Sequence, residues 1–160
     1  LRLVGSEMCI RDRMERKAAE TYTLALLARR EYSSLEIREK LQHRGISPEV
    51  ITAILRKFQE KGWQSDERFA ESLIYSKKNR YGTLKLSYLL EQKGIDKNIF
   101  EPLLPNAEEE LDLAINLLYK KYPQKSKEGK EKQKRLRLLA NHGFSMRCAY
   151  TALEHYYHKQ

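Results

Sequence analysis

Apolar residues recur along this chain at intervals of three and four, which predicts amphipathic helices rather than strands. The clearest such face is formed by Val50, Ile51, Ile54 and Phe58. It begins just after a Ser-Pro pair, which is typical of a helix start, and ends at Gly62. No stretch alternates with a period of two for long enough to predict a strand. The sequence therefore predicts an all-α fold.

Three segments of the chain resemble one another, and each combines an apolar helical stripe with a closing glycine. They read SLEIREKLQHRGIS, TLKLSYLLEQKGID and KQKRLRLLANHGFS. Their glycines, Gly45, Gly94 and Gly143, are spaced at an interval of 49 residues, and the leucine before and the apolar residue after each glycine keep that interval. This pattern indicates an internal repeat in which a left-handed glycine ends one helix and a Ser or Asp begins the next.

A further helix is predicted before each of these segments, over residues 18–31, 66–80 and 107–121. A three-helix unit of about 50 residues is only marginally stable alone and gains stability by stacking on its neighbours. We therefore expect an elongated, curved array of three tandem three-helix repeats. The predicted boundaries of the repeats are 14–62, 63–105 and 106–160.

Several local features modify this pattern. Ser33 and Glu36 fit a capping box, and Thr83 occupies the equivalent helix start in the second repeat. Pro102 predicts that the helix over 97–104 is short or kinked. A lysine-rich loop is expected near 123–130, and residues 1–13 are interpreted as an extraneous segment derived from a sequencing adapter.

The net charge of the chain indicates which classes of partner it could bind. Its formal net charge is +9, and it stays at +8 without residues 1–13, which favours polyanions or acidic protein surfaces. The two cysteines, Cys9 and Cys148, form neither a disulfide framework nor a zinc motif, so a reducing cytoplasm fits. No apolar run reaches the length of a transmembrane helix, and membrane association is not expected.

The sequence gives little support for a catalytic site. The glycines are scattered and form no phosphate-binding loop. Asp66, Glu67 and Glu71 lie at a helix start, where acids are ordinary, and Cys148 occupies a core position of the repeat. His155 and His158 could share a metal but have no evident third ligand. No catalytic residue, metal or cofactor is predicted.

Basic residues give the stronger signal, because they recur on the second helix of every repeat and at the joint before Gly82. They could follow a nucleic-acid backbone or an acidic protein groove, or they could simply form a solvated helix face. No helix stands out as one that could recognise base edges, so any contact with DNA should be to its phosphate backbone. The candidate contact residues are Arg38, Lys40, Arg44, Lys77, Lys78, Arg80, Tyr81, Lys85, Lys130, Lys132, Lys134, Arg135 and Arg137.

At these residues the chain resembles a known family. The stretch SDERFAESLIYSKKNRYGTLKLSYLLEQKGI is similar to the central signature of the RecX regulatory proteins, and LLARREYSSLEIREKLQHRGI is similar to their first repeat. The matching positions in the first stretch are Asp66, Arg68, Phe69, Ala70, Arg80, Gly82, Leu90, Lys93, Gly94 and Ile95. Those in the second are Arg29, Arg30, Tyr32, Ser33, Leu41 and Gly45. The resemblance is specific across residues 20–100, and Pro102 departs from it.

The resemblance implies a non-enzymatic regulator built from tandem three-helix repeats. Such a protein would bind RecA–DNA filaments and inhibit the recombinase, ATPase and co-protease activities of RecA, thereby modulating recombination, DNA repair and the SOS response. We expect a cytoplasmic monomer that also contacts the backbone of single- or double-stranded DNA. The alternative is a stand-alone helical module that binds DNA without sequence preference.

Overall fold

In the computed structural model, the backbone is described for residues 2–124 and 129–158, and side chains are described from Ile10 onward within these ranges. Across this part of the chain there are nine α-helices, one 3-10 turn and no strand. The all-α prediction is confirmed. Internal contacts divide the chain into two compact units, Leu1–Phe69 and Ala70–Gln160.

The first repeat contains α1 (Arg2–Leu27), α2 (Ser34–His43) and α3 (Pro48–Glu60). The predicted capping box is confirmed, because the Ser33 hydroxyl accepts the Glu36 N–H at 3.1 Å while the Glu36 carboxylate accepts the Ser33 N–H at 3.2 Å. One face of each helix is buried in a common apolar cluster. Its fully buried members are Ile37, Leu41, Ile51, Ile54 and Phe58.

The second repeat contains α4 (Asp66–Lys77), α5 (Thr83–Gln92) and α6 (Lys97–Phe100). The last of these helices is short, as Pro102 predicted, and the chain continues into the 3-10 turn Glu101–Leu103. The helix α5 begins at Thr83 as predicted, but its N-cap, the position equivalent to Ser33, is Gly82.

The third repeat contains α7 (Ala107–Lys121), α8 (Gly129–Asn141) and α9 (Met146–His158). Its core is the cluster around Ala114, Leu118, Leu139 and Tyr156. Residues 125–128 of the predicted lysine-rich loop lie outside the described residues. Gly129 and Lys130, at the end of that prediction, belong to α8 instead.

The glycines predicted to end helices do adopt left-handed backbone conformations. The φ angles are +77° at Gly45, +72° at Gly94 and +86° at Gly143, and Gly62 after α3 has +71°. Only glycine adopts this region without a steric penalty, which explains why the residue recurs. Three tandem helix–turn–helix units follow from this local chemistry.

Two helices end earlier than predicted. The first, α1, stops at Leu27 instead of residue 31, and in the segment that follows the Arg30 guanidinium donates to the Glu36 carboxylate at 3.3 Å and lies 3.6 Å from the ring of Tyr32. The chain thereby turns Tyr32 into the core, where it is 8% exposed. The other, α4, stops at Lys77 instead of residue 80, and the chain continues in a turn in which the Arg80 and Tyr81 N–H groups both donate to the Lys77 carbonyl.

Candidate nucleic-acid interface

Three cations surround one tyrosine ring at the joint between α4 and α5. The Lys85 ammonium lies 4.2 Å from the centroid of the Tyr81 ring, the Arg80 guanidinium 5.5 Å and the Lys77 ammonium 5.8 Å. We call these four residues the Tyr81 patch. Within the described residues none of its cations is paired with a carboxylate. The patch therefore presents uncompensated positive charge beside an aromatic face, which suits a phosphate backbone.

The backbone of this joint is fixed by the turn that follows α8. The Gly82 N–H donates to the His142 carbonyl at 2.8 Å, and the Leu84 N–H donates to the Gly143 carbonyl at 3.0 Å. The His142 ring returns a bond from Nδ1 to the Arg80 carbonyl at 2.6 Å. A carbonyl oxygen can only accept, so Nδ1 carries the proton. These bonds use backbone atoms of the joint and leave the side chains of the Tyr81 patch available.

The approach of the two segments is too close for side chains. A Cβ built on Gly82 would lie 2.5 Å from both the Gly143 carbonyl oxygen and the Phe144 nitrogen. A Cβ on Gly143 would lie 2.6 Å from the Lys85 nitrogen. Glycine at both positions is therefore required by packing, in addition to the left-handed backbone at Gly143.

A buried carboxylate from α7 completes the joint. One oxygen of Glu110, which is 8% exposed, accepts both the Thr83 N–H and the Thr83 hydroxyl at 2.9 Å. A carboxylate at this position satisfies a free N–H at the first turn of α5 and interacts favourably with the helix dipole. The start of α5, and with it Lys85, is thereby held to the third repeat.

In the first repeat, a carboxylate likewise caps the start of α2. The Asp66 carboxylate accepts the Ser34 N–H at 2.8 Å and the Ser34 hydroxyl at 2.9 Å. Asp66 also accepts the side-chain N–H of Gln64 at 2.9 Å, and Gln64 in turn donates to the Tyr32 carbonyl at 3.1 Å. Ser34 and Thr83 are equivalent positions of the repeat, so both second helices begin on a carboxylate from the next repeat.

The basic residues of α2 are partly engaged with aromatic rings. The Arg44 guanidinium lies 3.6 Å from the centroid of the Tyr22 ring, and the Lys40 ammonium lies 5.9 Å from that of Tyr32. Arg38 is half-buried, whereas Lys40 and Arg44 are exposed. These side chains are available on the surface of the first unit.

On α8 the predicted basic residues fall into two groups. Lys130, Lys132, Lys134 and Arg137 are exposed. Arg135 is 2% exposed, so the prediction that placed it on a contact surface is corrected by its burial. Its guanidinium donates to the Tyr157 hydroxyl at 2.5 Å and the Gln124 carbonyl at 3.2 Å, and it lies against three tyrosine rings.

The chain is similar to known proteins over most of its length. Models of the first, second and third three-helix domains of RecX match residues 19–58, 65–101 and 108–153. The chain belongs to the RecX family. It is 38% identical over 139 residues to the regulatory protein RecX of Neisseria meningitidis serogroup C, covering 87% of this chain and 91% of that protein.

Other RecX proteins agree with this assignment. The regulatory protein RecX of Haemophilus influenzae strain PittEE is 38% identical over 131 residues, covering 79% of this chain and 86% of the relative. A crystal structure of RecX from Lactobacillus salivarius superposes with a TM-score of 0.78 at 23% identity, covering 89% of this chain and 96% of that one. At that identity the superposition supports the fold of tandem three-helix repeats.

As a member of the RecX family, the chain is a regulatory protein rather than an enzyme. Of the residues weighed for catalysis, Asp66 is engaged as a helix cap and Cys148 is half-buried. Burial, reinforced by the nearby Glu110 carboxylate, raises the pKa of the Cys148 thiol to about 11, and His155 and His158 are exposed. Within the described residues no three potential metal ligands lie together. No helix in that part of the chain is both long and apolar enough to cross a membrane.

Sequence reasoning missed two of the residues that position the candidate site. Glu110 was not selected, although it precedes Ala114, Leu117 and Leu118 on the buried face of α7, and an acid on an apolar stripe signals a specific partner. His142 was likewise not selected as a candidate. Its ring bond to Arg80 joins residues 62 positions apart, and no local pattern indicates it.

Proposed function

We propose that this chain binds RecA filaments on DNA and inhibits the recombinase, ATPase and co-protease activities of RecA. It would act as a cytoplasmic monomer that modulates recombination and DNA repair. The observation that carries the proposal is the match of all three RecX domains in order along the chain, together with 38% identity to regulatory RecX proteins. The family resemblance supplies RecA as the partner.

The charge distribution supports a role close to DNA. Among the residues that the structure describes, Lys77, Arg80 and Lys85 have no paired acid, and Lys40 and Arg44 are exposed on the first unit. A filament presents phosphates repeatedly along its length, so basic side chains in several repeats could engage it together. Each phosphate contact would release counterions and make the affinity dependent on salt. The exposed residues of α8 extend the same proposal to the third repeat.

The primary test is a titration of the protein into RecA assembled on single-stranded DNA, with ATP hydrolysis as the readout. We expect inhibition at protein concentrations below that of RecA. The absence of inhibition at every ratio would contradict the proposed function. Measuring strand exchange and co-protease cleavage in the same samples shows whether all three activities fall together.

Charge reversal tests the Tyr81 patch and its neighbour. Lys77→Glu, Lys78→Glu and Arg80→Glu combined should weaken filament binding at least tenfold. Thermal unfolding should change little, because the joint is held by the Arg80 carbonyl and not by its side chain. A comparable loss of stability would instead make these side chains structural.

A matched control uses three exposed basic residues that are distant in sequence from the patch and have no paired acid among the described residues. Lys17→Glu, Arg56→Glu and Arg147→Glu combined change the net charge by the same amount. If this control weakens filament binding as much as the patch variant, general charge rather than the Tyr81 patch would be responsible.

The uncompensated cations of the Tyr81 patch also favour a second candidate, a stand-alone DNA-binding module without sequence preference. This candidate predicts tight binding to naked single- or double-stranded DNA, with an affinity that falls steeply with salt. Titrating labelled DNA without RecA at two salt concentrations separates the two. Weak binding to naked DNA beside strong binding to filaments would exclude it.

A further inference from the structure

A groove in the second unit differs in charge from the rest of this basic protein. It has a volume of about 430 Å³ and lies among α4, the 3-10 turn and α7. Its lining contains the carboxylates of Glu71, Glu109 and Asp112 and the single ammonium of Lys78, which gives a formal charge of −2. The chain as a whole carries +9. This acidic surface is therefore unsuited to the polyanions that the Tyr81 patch favours.

The interior of the groove is apolar. Ile74 is 6% exposed, and Leu103 and Leu113 are half-buried. Tyr75 lines the same groove and is 78% exposed, the largest exposed fraction among the large hydrophobic residues that the structure describes. A tyrosine left this open at the edge of an apolar groove is typical of a recognition surface rather than of a core.

The acids of the groove have few partners of their own. The Glu109 carboxylate accepts the Asn106 N–H at 3.1 Å as part of a capping box, and the residue is exposed. Within the described residues, Glu71 and Asp112 have no paired cation. Lys78 is turned to the Tyr75 ring, with its ammonium 5.5 Å from the centroid. Two exposed carboxylates are thus available to a cationic ligand.

We propose that this groove, which we call the Tyr75 groove, binds a protein segment that inserts one apolar side chain between flanking lysines or arginines. The volume accommodates an anchor of leucine or methionine size, as in helix-in-groove recognition. Carboxylates on both α4 and α7 would pair with the basic flanks. The same carboxylates repel phosphate, so a nucleic acid is disfavoured at this surface. The partner is a protein.

This inference rests on the proposed function, because the segment would belong to a RecA subunit of the filament. In the filament, the Tyr81 patch would then contact phosphate and the Tyr75 groove would contact protein. Both lie within the second unit, and Lys78 stands beside the groove. A substitution that adds positive charge to the groove should therefore weaken binding to protein and leave binding to DNA equal or tighter.

The test combines Glu71→Lys with Asp112→Lys and measures two affinities. Binding to RecA filaments on single-stranded DNA should weaken at least tenfold, whereas binding to the naked DNA should stay equal or become tighter. The milder pair Glu71→Gln and Asp112→Asn should weaken filament binding in the same direction without adding positive charge. The matched control is Glu49→Lys with Glu60→Lys, two exposed acids of α3 with the same total charge change.

The outcomes separate the groove from the function. If wild-type protein binds filaments and the groove variants bind as well as the control, the Tyr75 groove is refuted while the proposed function stands. If wild-type protein does not bind filaments, both are refuted. A photo-crosslinking amino acid at position 75 adds a direct reading: attachment to a RecA peptide containing lysine or arginine supports the groove, and attachment to DNA overturns it.

Discussion

The joint between α4 and α5 lies so close to the turn after α8 that there is no room for a Cβ at Gly82 or Gly143. Glycine-to-alanine substitutions can test this close approach. Gly82→Ala places a methyl group 2.5 Å from backbone atoms of Gly143 and Phe144. Gly143→Ala adds a left-handed backbone, at a φ of +86°, to a contact with Lys85. Gly45→Ala keeps a similar φ of +77° but meets nothing within 4 Å.

The magnitudes follow from separating these effects. A left-handed residue other than glycine costs roughly 1–2 kcal/mol, and a loss of unfolded-state entropy offsets roughly 0.4–1 kcal/mol of it. We therefore expect Gly45→Ala to destabilise by about 1 kcal/mol. Gly82, with a φ of −76°, has no such strain. Overpacking costs roughly 1–3 kcal/mol, and because fixed backbone atoms cannot rotate away we expect about 3 kcal/mol. Gly143→Ala combines both effects, at about 4 kcal/mol.

The assay is urea unfolding followed by circular dichroism at 222 nm. Gly129→Ala is the control within the same unit, because its Cβ would also meet nothing within 4 Å. It should change the free energy of unfolding by less than about 0.5 kcal/mol. If Gly82→Ala is as mild as Gly129→Ala, the close approach is absent in solution and the reasoning about the joint is refuted.

Two further predictions concern a capping carboxylate and a thiol. Asp66→Ala removes the acceptor of the Ser34 N–H and hydroxyl and should cost about 1–3 kcal/mol in urea unfolding. Glu67→Ala, its exposed neighbour, should cost less than about 0.5 kcal/mol, and equal losses would contradict the capping role. In a Cys9→Ser background, Cys148 should react with iodoacetamide at pH 8 roughly a hundredfold more slowly when folded than in urea, because burial raises its pKa to about 11. Its contribution to stability is present below the ordinary thiol pKa and is lost as pH rises toward 11, and equal alkylation rates would refute the burial.

The helix–turn–helix units were predictable because their requirements are local. A left-handed turn needs glycine, and the same need recurs at Gly45, Gly94 and Gly143. The short α6 followed likewise from Pro102. Helix ends that depend on contacts distant in sequence were less predictable. The start of α5 at its N-cap, Gly82, is an example, because the Gly82 and Leu84 N–H groups donate to the turn after α8, which no window around Gly82 contains.

Arg135 shows how the repeat itself could have corrected an error. It was grouped with the solvated lysines around it because it lies in a basic run. At the interval of the repeat, however, it is equivalent to Leu86 and Ile37, both of which are fully buried. An arginine at a core position requires aromatic and polar partners, and Tyr156 and Tyr157 are among those that supply them. The burial was thus encoded in the register and not in the local composition.

The distribution of acids explains how a basic surface and a fixed geometry coexist in this fold. Asp66 and Glu110 lie against helix starts, where they satisfy backbone N–H groups instead of neutralising lysines. In the described part of the chain the cations of the Tyr81 patch consequently have no carboxylate partner, and the joint between them is held by hydrogen bonds from Gly82 and Leu84 to His142 and Gly143. Mutating patch side chains should therefore affect binding, whereas mutating the glycines and capping acids should affect stability first. If the patch variants lose stability as well as binding, the surface and the joint are not separable.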